Sequence, residues 1–231
     1  MNWFENAVFY HIYPIGYFGC PRQNDFTSEP THKILRVIDD IPHIKELGCN
    51  AVYFGPVFES SAHGYDTADY TKIDRRLGTN EDFKKVCDAL HENGIRVVLD
   101  GVFNHVGRDF WAFRDVRENK LGSAKKDWFH VREGNDGYND GFWYEGWEGH
   151  YELVKLNLKN PAVVDYILDT VKVWREEFGI DGLRLDVAYC LDLDFLRRLR
   201  SFCNGLGDFF LLGETLHGDY NRWMNDEMLQ S

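Results

Sequence analysis

Short apolar runs alternate with helix-patterned stretches along most of this chain, and that alternation constrains the fold more than any single motif. Residues 7–13 (A-V-F-Y-H-I-Y) are β-branched and aromatic and end at Pro14, which reads as a first strand. Residues 50–54, 95–99, 182–186 and 209–212 give four more. Helical patterns lie between them. Residues 34–47 are closed by Gly48, and residues 81–93 put Phe83, Val86, Cys87 and Leu90 on one face with Gly94 behind. Residues 161–178 have Pro161 at the start and Gly179 past the end, and residues 193–202 follow the fourth strand. Strand and helix in turn is the pattern of parallel βα units, so the expected class is α/β.

Two features interrupt the pattern. Residues 107–151 are too long for a βα loop and hold four of the seven tryptophans (Trp111, Trp128, Trp143, Trp147), rings that need a surface to pack on. An inserted subdomain at 107–152 is expected, between barrel parts 1–106 and 153–231. The alternation also stops after five strands. The net charge of −12 argues against nucleic acid or an anionic membrane as partner. Five cysteines without a C-x-x-C pair read as reduced thiols. Residues 1–6 carry no signal-peptide pattern and no run approaches membrane-spanning length, so a cytoplasmic location is expected. Aromatic content of 16% suits sugar faces, and equally an ordinary core.

The chemistry-bearing residues cluster where strands end. In residues 180–188, Leu183, Leu185 and Val187 alternate with Arg184 and Asp186, so the charged pair faces away from the apolar set. A structural Arg–Asp ion pair and a catalytic carboxylate both fit that pattern. Tyr65 follows the second strand, Asp100, Asn104 and His105 the third, and Glu214 the fifth. In a (β/α) barrel those ends share one face, where active sites are built. Asp186 and Glu214, on adjacent strands, could divide the roles of nucleophile and proton donor. Arg184 would keep Asp186 ionised, while Glu214, with no adjacent cation in sequence, would keep its proton. Such pairs hydrolyse glycosides.

The sequence resembles the α-amylase family of glycoside hydrolases. D-G-V-F-N-H (residues 100–105), G-L-R-L-D-V-A (182–188) and G-E-T (213–215) are similar to three of that family's conserved regions in order, and H-G-Y-D-T-A-D-Y (63–70) to its loop after the second strand. The resemblance implies a (β/α)8 TIM-barrel type, here incomplete at five βα units, with the insertion after strand 3. It implies Asp186 as nucleophile, Glu214 as general acid/base, and Arg184 and Asp100 as braces. His105, Tyr65 and His217 would bind sugar, and Tyr65 would stack under the ring in the cleaved subsite. It offers Asn104 as a calcium ligand, against a loop-capping role, and requires no cofactor.

Residues 104–113 and 153–161 are similar to the neopullulanase and cyclomaltodextrinase group, which implies α-glucan oligosaccharides as substrates. The family's fourth region, an N-H-D-like motif, has no counterpart here. The chain is expected to end in the helix after the fifth strand and to associate through open barrel edges.

Overall fold

The computed structural model describes residues 2–135 and 137–231. Five strands form one parallel sheet: β1 (Phe9–Ile12), β2 (Ala51–Phe54), β3 (Arg96–Gly101), β4 (Gly182–Leu185) and β5 (Phe210–Gly213). They lie side by side in chain order. Sequential parallel neighbours, each reached over a helix, make one arc of a barrel.

The arc is strongly rolled. Laid flat, β1 and β5 would stand four strand spacings of about 4.8 Å apart. Instead the Phe9 and Phe210 ring centroids are 6.1 Å apart, and Phe4 stacks on Phe210 at 4.7 Å. The Trp3 indole donates to the Asp208 carbonyl, so the first turn of the chain bridges β1 and β5 at the end where the strands begin.

Outward side chains of the strands (Ile12, Val52, Phe54, Val97, Leu99, Leu183, Leu185, Leu211) are buried. They face four helices: α1 (Val37–Glu46), α2 (Asn80–Glu92), α3 (Pro161–Phe178) and α4 (Leu193–Asn204). Each helix is set by local chemistry. Thr79 and Asp82 form a reciprocal capping box on α2, Asn160 caps α3 ahead of Pro161, and Gly179 ends α3 at φ 71°. Inward positions carry the polar side chains His11, Tyr53, Asp100 and Arg184.

Several expectations are corrected. Residues 55–70 read as a loop, yet Phe58–Ser60 and Thr67–Ile73 pair as an antiparallel hairpin. Among the described residues no α-helix follows β5. After a 3-10 turn at Tyr220–Arg222 the chain returns to β5, where Gln230 N–H donates to Leu211 O and Ser231 O accepts from Gly213 N–H. The last residues thus lie along an edge that was expected to be open. Gly213 permits this, because a Cβ there would sit 2.3 Å from Leu229 Cδ1.

Between β3 and α3, His105–Gly107, Gly146–Trp147 and His150–Lys155 form a three-stranded antiparallel sheet, and Phe113 packs on Phe129, Phe142 and Tyr144. Its position against the hairpin depends on Gly107, since a Cβ there would lie 2.3 Å from the Asp66 carbonyl oxygen. All five cysteines are unpaired. Among the described residues no helix is long and apolar enough to cross a membrane.

Candidate active site

The strand register sets the centre of the site. Arg184 pairs with Asp100 across β3 and β4 and sits beside Leu212 of β5, two residues short of Glu214. One guanidinium therefore meets three carboxylates. Nη1 donates to Asp100 Oδ1 at 2.9 Å and Oδ2 at 3.1 Å, and to Asp186 Oδ1 at 2.9 Å. Nη2 lies 2.8 Å from Glu214 Oε2. Asp100 is sealed beneath this group, with its side chain 0% exposed. The Tyr53 hydroxyl donates to Asp100 Oδ2 at 2.6 Å, and His11 stacks flat on Tyr53 at 4.3 Å.

This arrangement overturns the expected electrostatics. Arg184 is not the private counter-ion of Asp186, and Glu214 does have a cation. Burial, then the charge of Asp100, push the Asp186 carboxyl up to about 7 against the pull of Arg184. Burial likewise raises Asp100, opposed by Arg184 and the Tyr53 hydroxyl. Asp100 and Asp186 share that one positive charge with Glu214, so these two aspartates keep their protons to a higher pH than an exposed carboxylate.

The backbone beyond β4 is strained at the site. Val187, a β-branched residue, sits at φ 41° and ψ 49°, and its N–H donates to Glu214 Oε2 at 2.8 Å. The left-handed turn aims that N–H at β5, so Glu214 is held by one side chain and one backbone group.

His105 is buried, and the Asn104 amide contacts its Nδ1 at 3.1 Å. With Asn104 donating, Nδ1 is an acceptor and Nε2 carries the hydrogen. Nε2 lies 3.9 Å from Asp186 Oδ2 and has no hydrogen-bond partner. Burial holds the imidazole neutral, with its pKa lowered to about 4. Tyr65 is half-buried; burial, then Asp100, raise its phenol, which places the ring at the same cluster.

The structure thus brings Tyr65, Asp100, His105, Arg184, Asp186 and Glu214 together. It leaves His217 outside that group, exposed, with its ring 6.3 Å from Tyr189. Tyr53 and His11 escaped the sequence reading. Their signal was the alternation of β1 and β2, which points residues 9, 11, 51 and 53 inward.

Asn104 lines a cavity of about 280 Å³ with Glu145, Lys155 and Asp192. Calcium takes six to eight oxygen ligands. Here the Lys155 ammonium stands 2.9 Å from Glu145 Oε1, bringing a cation of the protein's own to that space. Among the described residues no cluster of three or more His, Cys, Asp or Glu could hold a metal. That ammonium makes the oxygen set around Asn104 a poor fit for calcium.

Comparison with known proteins places this geometry among relatives. The alpha-amylase catalytic-domain family profile matches residues 33–227. A cyclomaltodextrinase from a Bacillus species is 37% identical over 99% of this chain and 44% of its own length. Neopullulanase 2 of Thermoactinomyces vulgaris is 36% identical over 100% of this chain and 42% of its own length. Among solved structures, the cyclic α-maltosyl-(1→6)-maltose hydrolase of Arthrobacter globiformis in complex with that sugar superposes with a TM-score of 0.85. It is 35% identical, over 98% of this chain and 54% of that one. The chain spans less than half the length of the curated relatives it matches.

Proposed function

The chain belongs to the α-amylase family, and on that premise we propose that it supplies the catalytic pair of a retaining hydrolase of α-1,4-glucosidic bonds in maltodextrin-like oligosaccharides, with α-1,6 bonds a second target. The observation that carries this reading is that Asp186 and Glu214 stand on the two terminal nitrogens of one guanidinium. Sharing one fork favours the short carboxylate spacing of retaining enzymes, about 5–5.5 Å, over the roughly 6.5–9.5 Å of inverting ones.

In this reading Asp186 attacks the anomeric carbon while Glu214 gives its proton to the leaving oxygen. A glucosyl ester forms on Asp186 as the glycosidic bond breaks. Glu214, now ionised, takes a proton from water or an acceptor hydroxyl, which attacks the ester and frees Asp186. Arg184 and Asp100 fix the nucleophile, His105 Nε2–H binds a hydroxyl of the sugar, and Tyr65 stacks beneath its ring. Residues 107–152 act as an inserted subdomain walling one side of the cleft, and Asn104 caps its loop without calcium. The location proposed is cytoplasmic.

Asp100 is sealed under Arg184 and cannot touch a sugar, so its part is to brace Arg184 and Asp186. In a protein of its relatives' length, Asp186→Asn and Glu214→Gln each lower maltohexaose hydrolysis by several orders of magnitude. Proton NMR of the first-formed product shows the α-anomer; the β-anomer would remove Asp186 as nucleophile.

A further inference from the structure

A second cleft of about 260 Å³ opens between the 58–73 hairpin, the loop bearing Phe26 and the helix Trp111–Asn119. None of its lining residues belongs to the Arg184 cluster. Two aromatic rings line it. Trp111 is 42% exposed, although tryptophan is among the costliest rings to leave in water. Phe26 is held at φ 56°, a conformation unfavourable for a non-glycine residue. Its loop is deliberately fastened: Phe26 N–H donates to Asn24 Oδ1 at 2.9 Å, and the buried Asn24 donates to Ser60 O at 3.0 Å. Among the described residues Phe26 is not part of the hydrophobic core cluster, and its half-buried ring lines the cleft.

The polar lining is balanced. Three carboxylates (Glu59, Asp69, Asp109) face three cations (Lys72, Arg75, Arg114), so the cleft has no net preference for an anion or a cation. Arg75 is bound to Glu59 at 2.6 Å and Asp109 accepts from Ser61 at 2.7 Å. Arg114 has no side-chain partner among the described residues, which leaves its planar fork free for a pair of hydroxyls. Exposed rings beside charged donors and acceptors that balance in sum suit a pyranose, which has apolar faces and a hydroxyl rim. The space falls below the roughly 300–1,000 Å³ of drug-sized ligand pockets, which fits one ring whose neighbours remain in solvent.

We propose that this cleft is a second carbohydrate-binding site, taking one glycosyl unit of a neutral oligosaccharide apart from the strand-end cluster. The choice of an α-glucan rests on the proposed function; the cleft's own chemistry asks only for a neutral sugar.

The test is maltotriose titrated into the ¹⁵N-tryptophan-labelled 231-residue chain, with Trp111 assigned through Trp111→Phe. The Trp111 indole resonance shifts and saturates, and does so equally in Tyr65→Ala. Phe26→Asn, which removes the ring while accepting the left-handed backbone, weakens that isotherm about tenfold, and Arg114→Ala weakens it independently. If Tyr65→Ala abolishes the Trp111 response, there is a single site and the proposal falls. If cellotriose or xylotriose moves Trp111 while maltotriose does not, the cleft stands and the α-glucan reading fails. If none of the three moves it, the cleft is not a sugar site, whatever hydrolysis assays show.

Discussion

One guanidinium facing three carboxylates gives Asp186 an unusual titration. Its carboxyl, at about 7, is protonated over much of the range where an exposed aspartate is ionised. Carboxyl ¹³C NMR of the chain should follow this directly. As nucleophile Asp186 is competent only above that value, so activity in a protein of full family length falls as pH drops below about 7. The linkage has the opposite sense. Between the ordinary value of 3.8 and about 7 the folded chain keeps a proton that the unfolded chain has released, so this group's contribution to stability falls as pH rises through that window. After burial, Asp100 is the largest cause of the shift, so Asp100→Asn moves the Asp186 titration to lower pH. A move upward would mean that Asp100 matters chiefly by holding Arg184 in place. The motif around Asp186 made the cluster's members legible in the sequence. Their charge sharing was not, because the Arg184–Glu214 contact crosses from one strand to the next and depends on register.

At the scale of elements, the hairpin from Phe58 to Ile73 shows why hydropathy fails locally. Glu59, Ser60, Asp66 and Thr67 are buried, as is Asp74 just beyond, so the stretch reads as a loop although it packs like a strand pair. Arg76 holds Asp74 and Ser60, while Arg75 holds Glu59. Arg76 binds Asp74 through Nε at 2.8 Å and Nη2 at 2.6 Å and donates to the carbonyls of Pro21 and Ala62. By contrast β2, β3 and β5, with apolar runs ended by glycine or a polar residue, were plain from sequence to within a residue or two. Breaking a buried pair leaves a charge uncompensated, so Asp74→Ala should cost about 3–5 kcal/mol in urea unfolding. Replacing both members, Asp74→Leu with Arg76→Met, should recover much of that loss; equal losses in single and double variants would show that the carbonyl bonds, not the ion pair, carry the stability. The strand bearing Lys155 makes a separate claim. With an ammonium already beside Glu145, neither calcium nor EDTA should move the thermal midpoint, and a rise on adding calcium would contradict the lysine's role.

At the scale of the whole chain, the sheet is a rolled arc of five strands with two unlike edges. Along β5 the returning Gln230 and Ser231 already satisfy backbone groups of Leu211 and Gly213. Among the described residues β1 pairs with β2 alone, and beside it Val8 is 51% exposed. An apolar strand with unpaired N–H and C=O groups is a template for another strand. The sealed edge should not propagate, so association should stop at a pair related by a two-fold axis, β1 against β1, without growing into a fibre. Light scattering on the purified chain should therefore show a concentration-dependent mass approaching twice 27.1 kDa. Val8→Lys places a charge at the open edge, where pairing would have to bury it, and should return the chain to a monomer without altering its circular dichroism. Larger aggregates that persist in Val8→Lys would point to the inner face of the arc, with the half-exposed Tyr53 and Leu212, as the sticky surface. A monomer at every concentration would mean that the first turn of the chain, clamped by Trp3 onto Asp208, protects β1 better than its unpaired backbone suggests.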